Sequence, residues 1–456
     1  MRSSSIVKII LIIFFILFFS TLGWYFYEPE VNMNNEDTYG ENSGIFSLLP
    51  FTGNSIINDS SKNNEGAGND GIIENKNAEN DEDQIIGVKK YEMPIIRQIS
   101  NIPTAGAFIQ ELAREQIYEI NGRMKENEKI DNEGIYSEIR YVSMKNNHVY
   151  QTYDFTLDSK RISNVTIPKI FDAQFFDIDN YLIRYKNNFN LVKTYSITLS
   201  DKVLKYEAEE NDLGEKRFQG IFLPDNIEDF DILSNQKKIA YIKKGEYENK
   251  VFLINNKGGN QVEIGSIELN EMNIIFNNPN KLFISNKTAN STNTLSFVLG
   301  INDKNLEIIN YPIKAGYGLP NYDFSKILYS GINEYSDKFK LFVISNNDRS
   351  TRIFNSKTLA DKCIWSKDNI NIYCAIPAYL EKDGPDDWYK GKKYFSDEIY
   401  KINTNNGEEE KVFIPKDRTH LFDITDLNLN NTERYIYFKD KKTDFYWSIN
   451  IENIDS

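Results

Sequence analysis

The chain has 456 residues, 40% of them hydrophobic, and a formal net charge of −14, enough for two or three ordinary domains or one large repetitive one. With two histidines and two cysteines in all, a Ser-His-Asp triad or a His-based zinc site would have to use His148 or His420. The acidic balance offers no basic stripe for nucleic acid.

Residues 1–27 carry Arg2 and Lys8 as their only charges, and Ile9 to Tyr27 is an uncharged run of 19 residues dominated by Ile, Leu and Phe. As a helix it would span roughly 28 Å, close to the hydrocarbon core of a bilayer. A cleavable signal peptide shares the charged start and apolar middle. The run is long, however, and ends in Trp24, Tyr25 and Tyr27, rings suited to a membrane boundary. An uncleaved membrane anchor is therefore expected. Basic residues precede it and Glu28, Glu30, Glu36 and Asp37 follow it, which orients the N-terminus to the cytoplasm and the bulk of the chain outside.

Residues 28–92 lack periodicity and are crowded with Asn, Asp, Glu, Gly and Ser, as in Asn63 to Gly71, NNEGAGNDG. They bury too little apolar surface to offset chain entropy and read as a disordered acidic linker, with a reach of roughly 45 Å. This linker holds 14 acidic and 4 basic residues, a net of −10, and with +2 on the anchor only −6 remains for residues 93–456. The acidity belongs mainly to the linker.

From residue 93 onward, short β-branched and aromatic runs alternate with Asn, Asp, Gly and Lys turns, the pattern of strands. One helix is expected around Gly106 to Met124. A phrase recurs: an apolar strand, a polar turn, and a second strand ending in an aliphatic-aromatic pair. It is written DFDILSNQKKIAYI (Asp229 to Ile242), EMNIIFNNPNKLFIS (Glu271 to Ser285), NYDFSKILYSG (Asn321 to Gly331), KCIWSKDNINIYCAI (Lys362 to Ile376) and ITDLNLNNTERYIYFK (Ile424 to Lys439). Weaker copies occur at Ile139 to Tyr153 and Ile170 to Tyr185. Anchored on Ile239, Leu282, Ile327 and Ile372, the spacings are 43, 45 and 45 residues, the length of a four-stranded propeller blade. The expected fold is all-β, a seven-bladed β-propeller over residues 93–456.

Two near-copies predict how the ring closes. RISNVTIP at Arg161 to Pro168 contains the outermost strand of the first blade and its crossover, whereas RQISNIP at Arg97 to Pro103 precedes that blade. The last blade has only three strands of its own, so Ile95 to Ser100 is expected to supply its fourth, beside Phe445 to Ile451. Such closure removes exposed sheet edges.

The hydrophobic-x-W/F-S-x-D/N-x-x-x-I-x-Y phrase, clearest in CIWSKDNINIY at Cys363 to Tyr373, resembles the blade signature of TolB-like propellers, bacterial extracytoplasmic propellers related to WD-repeat folds. Asn277 and Asn278 depart from the Ser-Pro-Asp-Gly turn of that pattern, and Phe171 to Phe176 lacks its Trp-Ser pair. The resemblance implies binding of a protein or envelope component by a rigid disc, with no shared chemistry.

No nucleophile elbow, phosphate loop or zinc-protease helix occurs in the sequence. The paired acids Asp177 and Asp179, Asp386 and Asp387, and Asp423 and Asp426 read as turn and strand-edge residues; no catalytic residue, metal site or cofactor is expected. Cys363 and Cys374 flank the Asp368–Asn369 turn equally and would face each other in a hairpin, as a disulfide or as two reduced core thiols. Between the second and third strands of the sixth blade lies a long insertion, Pro377 to Asp397. Its Tyr379, Asp386, Asp387, Trp388 and Tyr389 form the candidate binding surface, or pack the loop onto its own blade. The expected function is a membrane-anchored, extracytoplasmic, non-catalytic module binding a protein or envelope component. The alternative is glycan binding or degradation, favoured if acids from three or more blades converge on the central channel, or if exposed Trp or Tyr line one rim.

Overall fold

The computed structural model describes residues 95–451 except 126–128, 157, 164, 201–215, 288–291, 310, 312, 334–338, 381–383 and 414–420. The expected membrane helix, the linker and His420 lie outside the described residues. Among the described residues no helix is long and apolar enough to cross a membrane.

Seven four-stranded antiparallel sheets follow one another along the chain as the blades of a propeller. Blade 1 comprises Thr104–Glu111, Ser137–Ser143, Val149–Tyr153 and Lys160–Arg161, from the axis outward. The innermost strands of blades 2 to 6 are Ile170–Asp177, Ile227–Leu233, Met272–Ile275, Ile313–Pro320 and Cys363–Trp365. Blade 7 is built from Ile424–Leu429, Tyr435–Asp440 and Phe445–Asn450, and its outermost strand is Ile96–Gln98. Ile96 pairs with Ile449, Arg97 with Ser448 and Gln98 with Trp447, so the early copy of the repeated phrase completes the last sheet as expected.

Alternation along these strands places one apolar set on each face, and every blade buries both faces against its neighbours. The result is seven separate cores, one per blade interface. Ile239, Leu282, Ile327 and Ile372, on which the repeat spacing was measured, are all completely buried, each stabilising by about 1.5–3 kcal/mol. The core between blades 7 and 1 joins Ile99, Tyr437 and Tyr446 to Ile139 and Tyr141. Arg97, itself buried, donates across the same interface to the Tyr153 carbonyl at 2.7 Å and to Thr152 Oγ1 at 3.1 Å.

Two local expectations are corrected. The segment Gly106 to Met124 is half strand and half helix: Thr104–Glu111 is the innermost strand of blade 1, and only Arg114–Arg123 is helical (α1). The helix starts where Gln116 accepts from the Ala113 N–H at 2.9 Å, the capping contact that ends extended backbone. In blade 5, NYDF is not a strand. Asn321 to Ser325 forms the turn, with Asp323 accepting from the Ser325 N–H at 2.8 Å, and the strand is Ile313–Pro320 just before it. That strand is glycine-rich because blade 4 presses on it: a Cβ at Gly318 would meet the Phe283 ring at 2.6 Å.

Because each sheet is an antiparallel meander, the starts of all innermost strands, the loops between second and third strands, and the blade-to-blade crossovers lie together at one end of the ring. It is termed the crossover end below. A register shift falls near the start of the innermost strand in blades 1, 2, 3, 5 and 7. Such bulges bend a strand and re-aim its side chains, here beside the channel mouth.

Candidate functional site

Three of the bulged strands open with the same tripeptide, Ile-x-Asp: Ile170-Phe171-Asp172, Ile227-Glu228-Asp229 and Ile424-Thr425-Asp426. The Ile is buried in each case. The Asp follows or forms the bulge, and Asp426 adopts φ +50°, a left-handed conformation that Asp tolerates better than most residues. The three acids therefore reach the channel mouth from blades 2, 3 and 7, the condition set above as favouring the glycan alternative.

The charges of these acids act on one another. Burial pushes Asp172 up to about 6, the charge of Asp426 adds to the rise, and Lys439 and Arg184 oppose it. Asp229 is likewise raised to about 6 and Asp231 to about 7, both chiefly by burial. Tyr317 of blade 5 is raised by burial first and then by the charges of Asp361, Asp229 and Asp231. For Lys439, burial lowers its affinity for a proton, but Asp426, Asp444 and Asp172 outweigh it and the amine is raised.

The acids differ in what they already hold. Glu228, Asp229 and Asp231 accept from the backbone N–H groups of Met272, Ile274 and Phe276 at 3.0, 2.9 and 2.7 Å. Those three donors lie on the axial edge of the innermost strand of blade 4, which has no ladder partner there. The acids of blade 3 thus cap a sheet edge that would otherwise be unsatisfied. Asp426 is paired with Lys439 at 2.8 Å. Asp172, half-buried, is held by surrounding charges, and no backbone clamp on it is found among the described residues.

Exposed aromatic side chains lie at the same crossover end, in loops outward of the mouth. Phe189 in the second-to-third loop of blade 2 is 84% exposed, Tyr247 in that of blade 3 is 87% exposed, and Tyr379 in that of blade 6 is 74% exposed. Tyr247 overhangs a groove of about 430 Å³ lined also by Lys243, Lys250, Phe252 and Glu268. At the opposite end, the exposed aromatics among the described residues are Tyr118 on α1 and Tyr322.

The insertion of blade 6 spans the gap between Asn371–Pro377 and Asp397–Asn403 and carries a short helix, Gly384–Tyr389 (α2). Its candidate residues separate. Tyr379 points to solvent. Trp388 is 4% exposed, turned inward with its Nε1–H reaching both oxygens of Asp423 at 2.9 Å. Its ring stacks on Phe395 and carries the Lys441 ammonium 3.3 Å above it. Tyr389 donates its hydroxyl to Asp361 at 2.8 Å. Asp386 and Asp387, in the first turn of α2, face Lys390 and Lys393 at 3.7 and 3.9 Å. Trp388 thus pins the loop to the ring.

The other acidic pairs also divide. Asp177 accepts from the N–H groups of Asp179 and Asn180 in a tight turn, while Asp179 pairs with Arg140 and Lys216. Asp423 is buried against Lys362, whereas Asp426 opens on the channel. His148 bonds Asn146 and Thr166. Cys363 and Cys374 are cross-strand partners joined as a disulfide, with Cα atoms 4.1 Å apart. That short spacing belongs to the non-hydrogen-bonded kind of opposed pair.

Asp172, Asp229 and Asp231 were not singled out from the sequence, although the Ile-x-Asp triplet at blade starts is a signal that could have found them. Lys362, Asp361 and Asp397 carry no such signal.

No protein-family model and no curated protein matches the chain. Solved structures with similar architecture include the tricorn protease, at 11% identity and a TM-score of 0.41, covering 70% of this chain and 32% of that one. TolB from Acinetobacter baumannii aligns at 9% identity and a TM-score of 0.37, covering 70% of this chain and 76% of that one. A functionally unknown protein from Desulfotomaculum acetoxidans DSM 771 aligns at 12% identity and a TM-score of 0.39, covering 69% and 89%. The chain spans about a third of the length of the tricorn protease. The propeller assignment rests on the seven sheets themselves.

Proposed function

We propose that this chain is a non-catalytic binding module, tethered to a membrane by its N-terminal segment and facing away from the cytoplasm. It engages a protein or envelope component through the crossover end of the ring. The observation that supports this reading is the coincidence, at one end only, of the Ile-x-Asp acids and the exposed aromatics Phe189, Tyr247 and Tyr379. Aromatic side chains supply contact area at low entropic cost, and carboxylates in a mouth of low dielectric favour cationic groups.

The test is a titration of labelled lysine-rich and glutamate-rich peptides against the full chain in membrane mimetic. Binding of the lysine-rich peptide that weakens at least tenfold in Asp172→Asn, with no binding of its acidic counterpart, supports the reading. Equal binding of both peptides, or none of either, sinks it. Protease digestion of intact and permeabilised cells tests the orientation: the propeller is expected to be cut in both.

A second reading, glycan hydrolysis, is favoured by the convergence of Asp172, Asp229 and Asp426 from three blades on the channel mouth, and by the state of one of them. Asp172 is raised to about 6, a value suited to a general acid. Release of reducing ends from cell-wall glycan that disappears in Asp172→Asn would replace the first reading by this one.

A further inference from the structure

Lys362 is the most deeply buried cation described in this propeller. It stands just before the innermost strand of blade 6 with no exposed side-chain surface, and its two partners, Asp397 and Asp423, have none either. Nζ lies 2.7 Å from Asp423 Oδ1 and 2.8 Å from Asp397 Oδ2. The rings of Trp388 and Phe395 box it in at 4.7 and 5.0 Å. One ammonium and two carboxylates sealed from water are costly, several kcal/mol per ion before pairing. Asp397 responds: burial is the main cause pushing it up to about 6, and its Oδ1 meets no hydrogen-bond partner. Asp423 is held differently, with the Trp388 N–H shared between both oxygens.

We propose that Lys362 Nζ condenses with the side-chain carboxyl of Asp423 to form an amide that covalently joins blades 6 and 7, with Asp397 carrying the proton. The Lys362 ammonium passes one proton to Asp397 and becomes a neutral amine. Its lone pair forms the N–C bond to Asp423 Cγ, while the C=O pair moves onto Oδ2, one of the two oxygens that the Trp388 N–H bridges. Asp397 returns its proton to the other oxygen, a second proton follows from the nitrogen, and that oxygen leaves as water. The ammonium has lost two protons and the carboxylate one oxygen; Asp397 ends as it began, and no oxidant or co-reactant is needed.

Three features distinguish this trio from an ordinary ion pair. The fixed contact provides an effective concentration on the order of 10⁵–10⁸ M for well-oriented groups. Exclusion of water opposes the reverse hydrolysis. Condensation also replaces two buried charges by a neutral amide, relieving the desolvation penalty. By contrast Lys439 and Asp426 lie equally close, at 2.8 Å, but the Asp426 side chain is 50% exposed, and water competes.

The experiment is mass spectrometry of the purified full chain, reduced and denatured, then digested with trypsin. The expected result is a branched peptide joining the Lys362 and Asp423 segments, lighter than their sum by one water and uncleaved after Lys362. Linear peptides alone, with Lys362 free, overturn the proposal, as does a branch at Asp397 or a water lost elsewhere as a succinimide. In Asp397→Asn the branch is expected to fall at least tenfold; its persistence removes Asp397 from the mechanism. Should that variant fail to fold, the wild-type digest decides alone. Peptide-binding results leave this outcome untouched, so the two proposals fail separately.

Discussion

The carboxyl of Asp172 is where the stability of the fold and the proposed binding role make opposite demands. Its ordinary value is 3.8, and in the folded ring it is raised to about 6, by burial first and Asp426 second. A raised acid binds protons more tightly folded than unfolded, so its stabilising effect is complete below 3.8 and is lost as pH rises through about 6. At neutral pH the ionised form therefore carries a penalty of about 3 kcal/mol, at 1.36 kcal/mol for each pH unit between the two values. Asp172→Asn keeps shape and polarity while removing that penalty.

The variant is expected to gain about 3 kcal/mol near pH 7.5 and only about 1 kcal/mol near pH 4.5, where most of the wild-type penalty has already disappeared. Urea denaturation is the appropriate assay, since guanidinium would screen the charges being measured. No gain near neutrality would refute the electrostatic account of the channel. A gain of the same size at both pH values would refute it as well, because it would show that the substitution acts through packing.

Four further outcomes follow from the same geometry. Asp231→Ala strips the Phe276 N–H of its acceptor at 2.7 Å and is expected to cost about 1–3 kcal/mol in urea near pH 4, where the carboxyl that burial raises to about 7 is protonated in the fold and little charge penalty offsets the loss; a neutral result there would dismiss the edge-capping role. Trp388→Ala is expected to cost about 3–5 kcal/mol and to make the insertion sensitive to limited proteolysis, an outcome that a solvent-facing contact residue would not produce. Ile99→Ala, at the closing interface, should cost about 2–5 kcal/mol, and a change near zero would mean that the ring does not depend on its closure. Reducing Cys363–Cys374, whose sequence separation is 11, should lower stability by about 3 kcal/mol, checked by urea melts with and without reductant.

Much of the ring was legible because blade-forming information is local and repeated. A buried aliphatic at a 43-to-45-residue spacing and the doubled phrase at Arg97 and Arg161 each restate one physical requirement, an apolar face on every sheet and a paired rim strand on every blade. What failed to show was where backbone geometry overrides composition. The Gly106 to Met124 segment carries good helix formers, yet its first half is drawn into the axial strand that blade 1 needs. Asn321 to Phe324 looked like a strand because the true strand, IKAGYGLP, is weakened by two glycines, Gly318 against the Phe283 ring and Gly316 against Thr294. The insertion was recognisable by length and aromatics, but Trp388 in a loop reads equally as a hot spot or as an anchor; only the buried Asp423 beneath it decides.

The channel acids were hidden for a different reason. Asp172, Asp229 and Asp426 are 57 and 197 residues apart in sequence, and an Asp at a strand start is ordinary until a closed ring brings such starts together. Closure then sorts them by what each already holds. Asp229 and Asp231 are consumed by the backbone of blade 4, Asp426 by Lys439, and Asp423 by Lys362 and Trp388. Burial raises the Asp172 carboxyl to about 6, so its ionised form works against the stability of the fold. The same chemistry therefore reads as structure where a neighbour satisfies it, and the proposed binding role falls to Asp172, for which no hydrogen-bonded partner is found among the described residues.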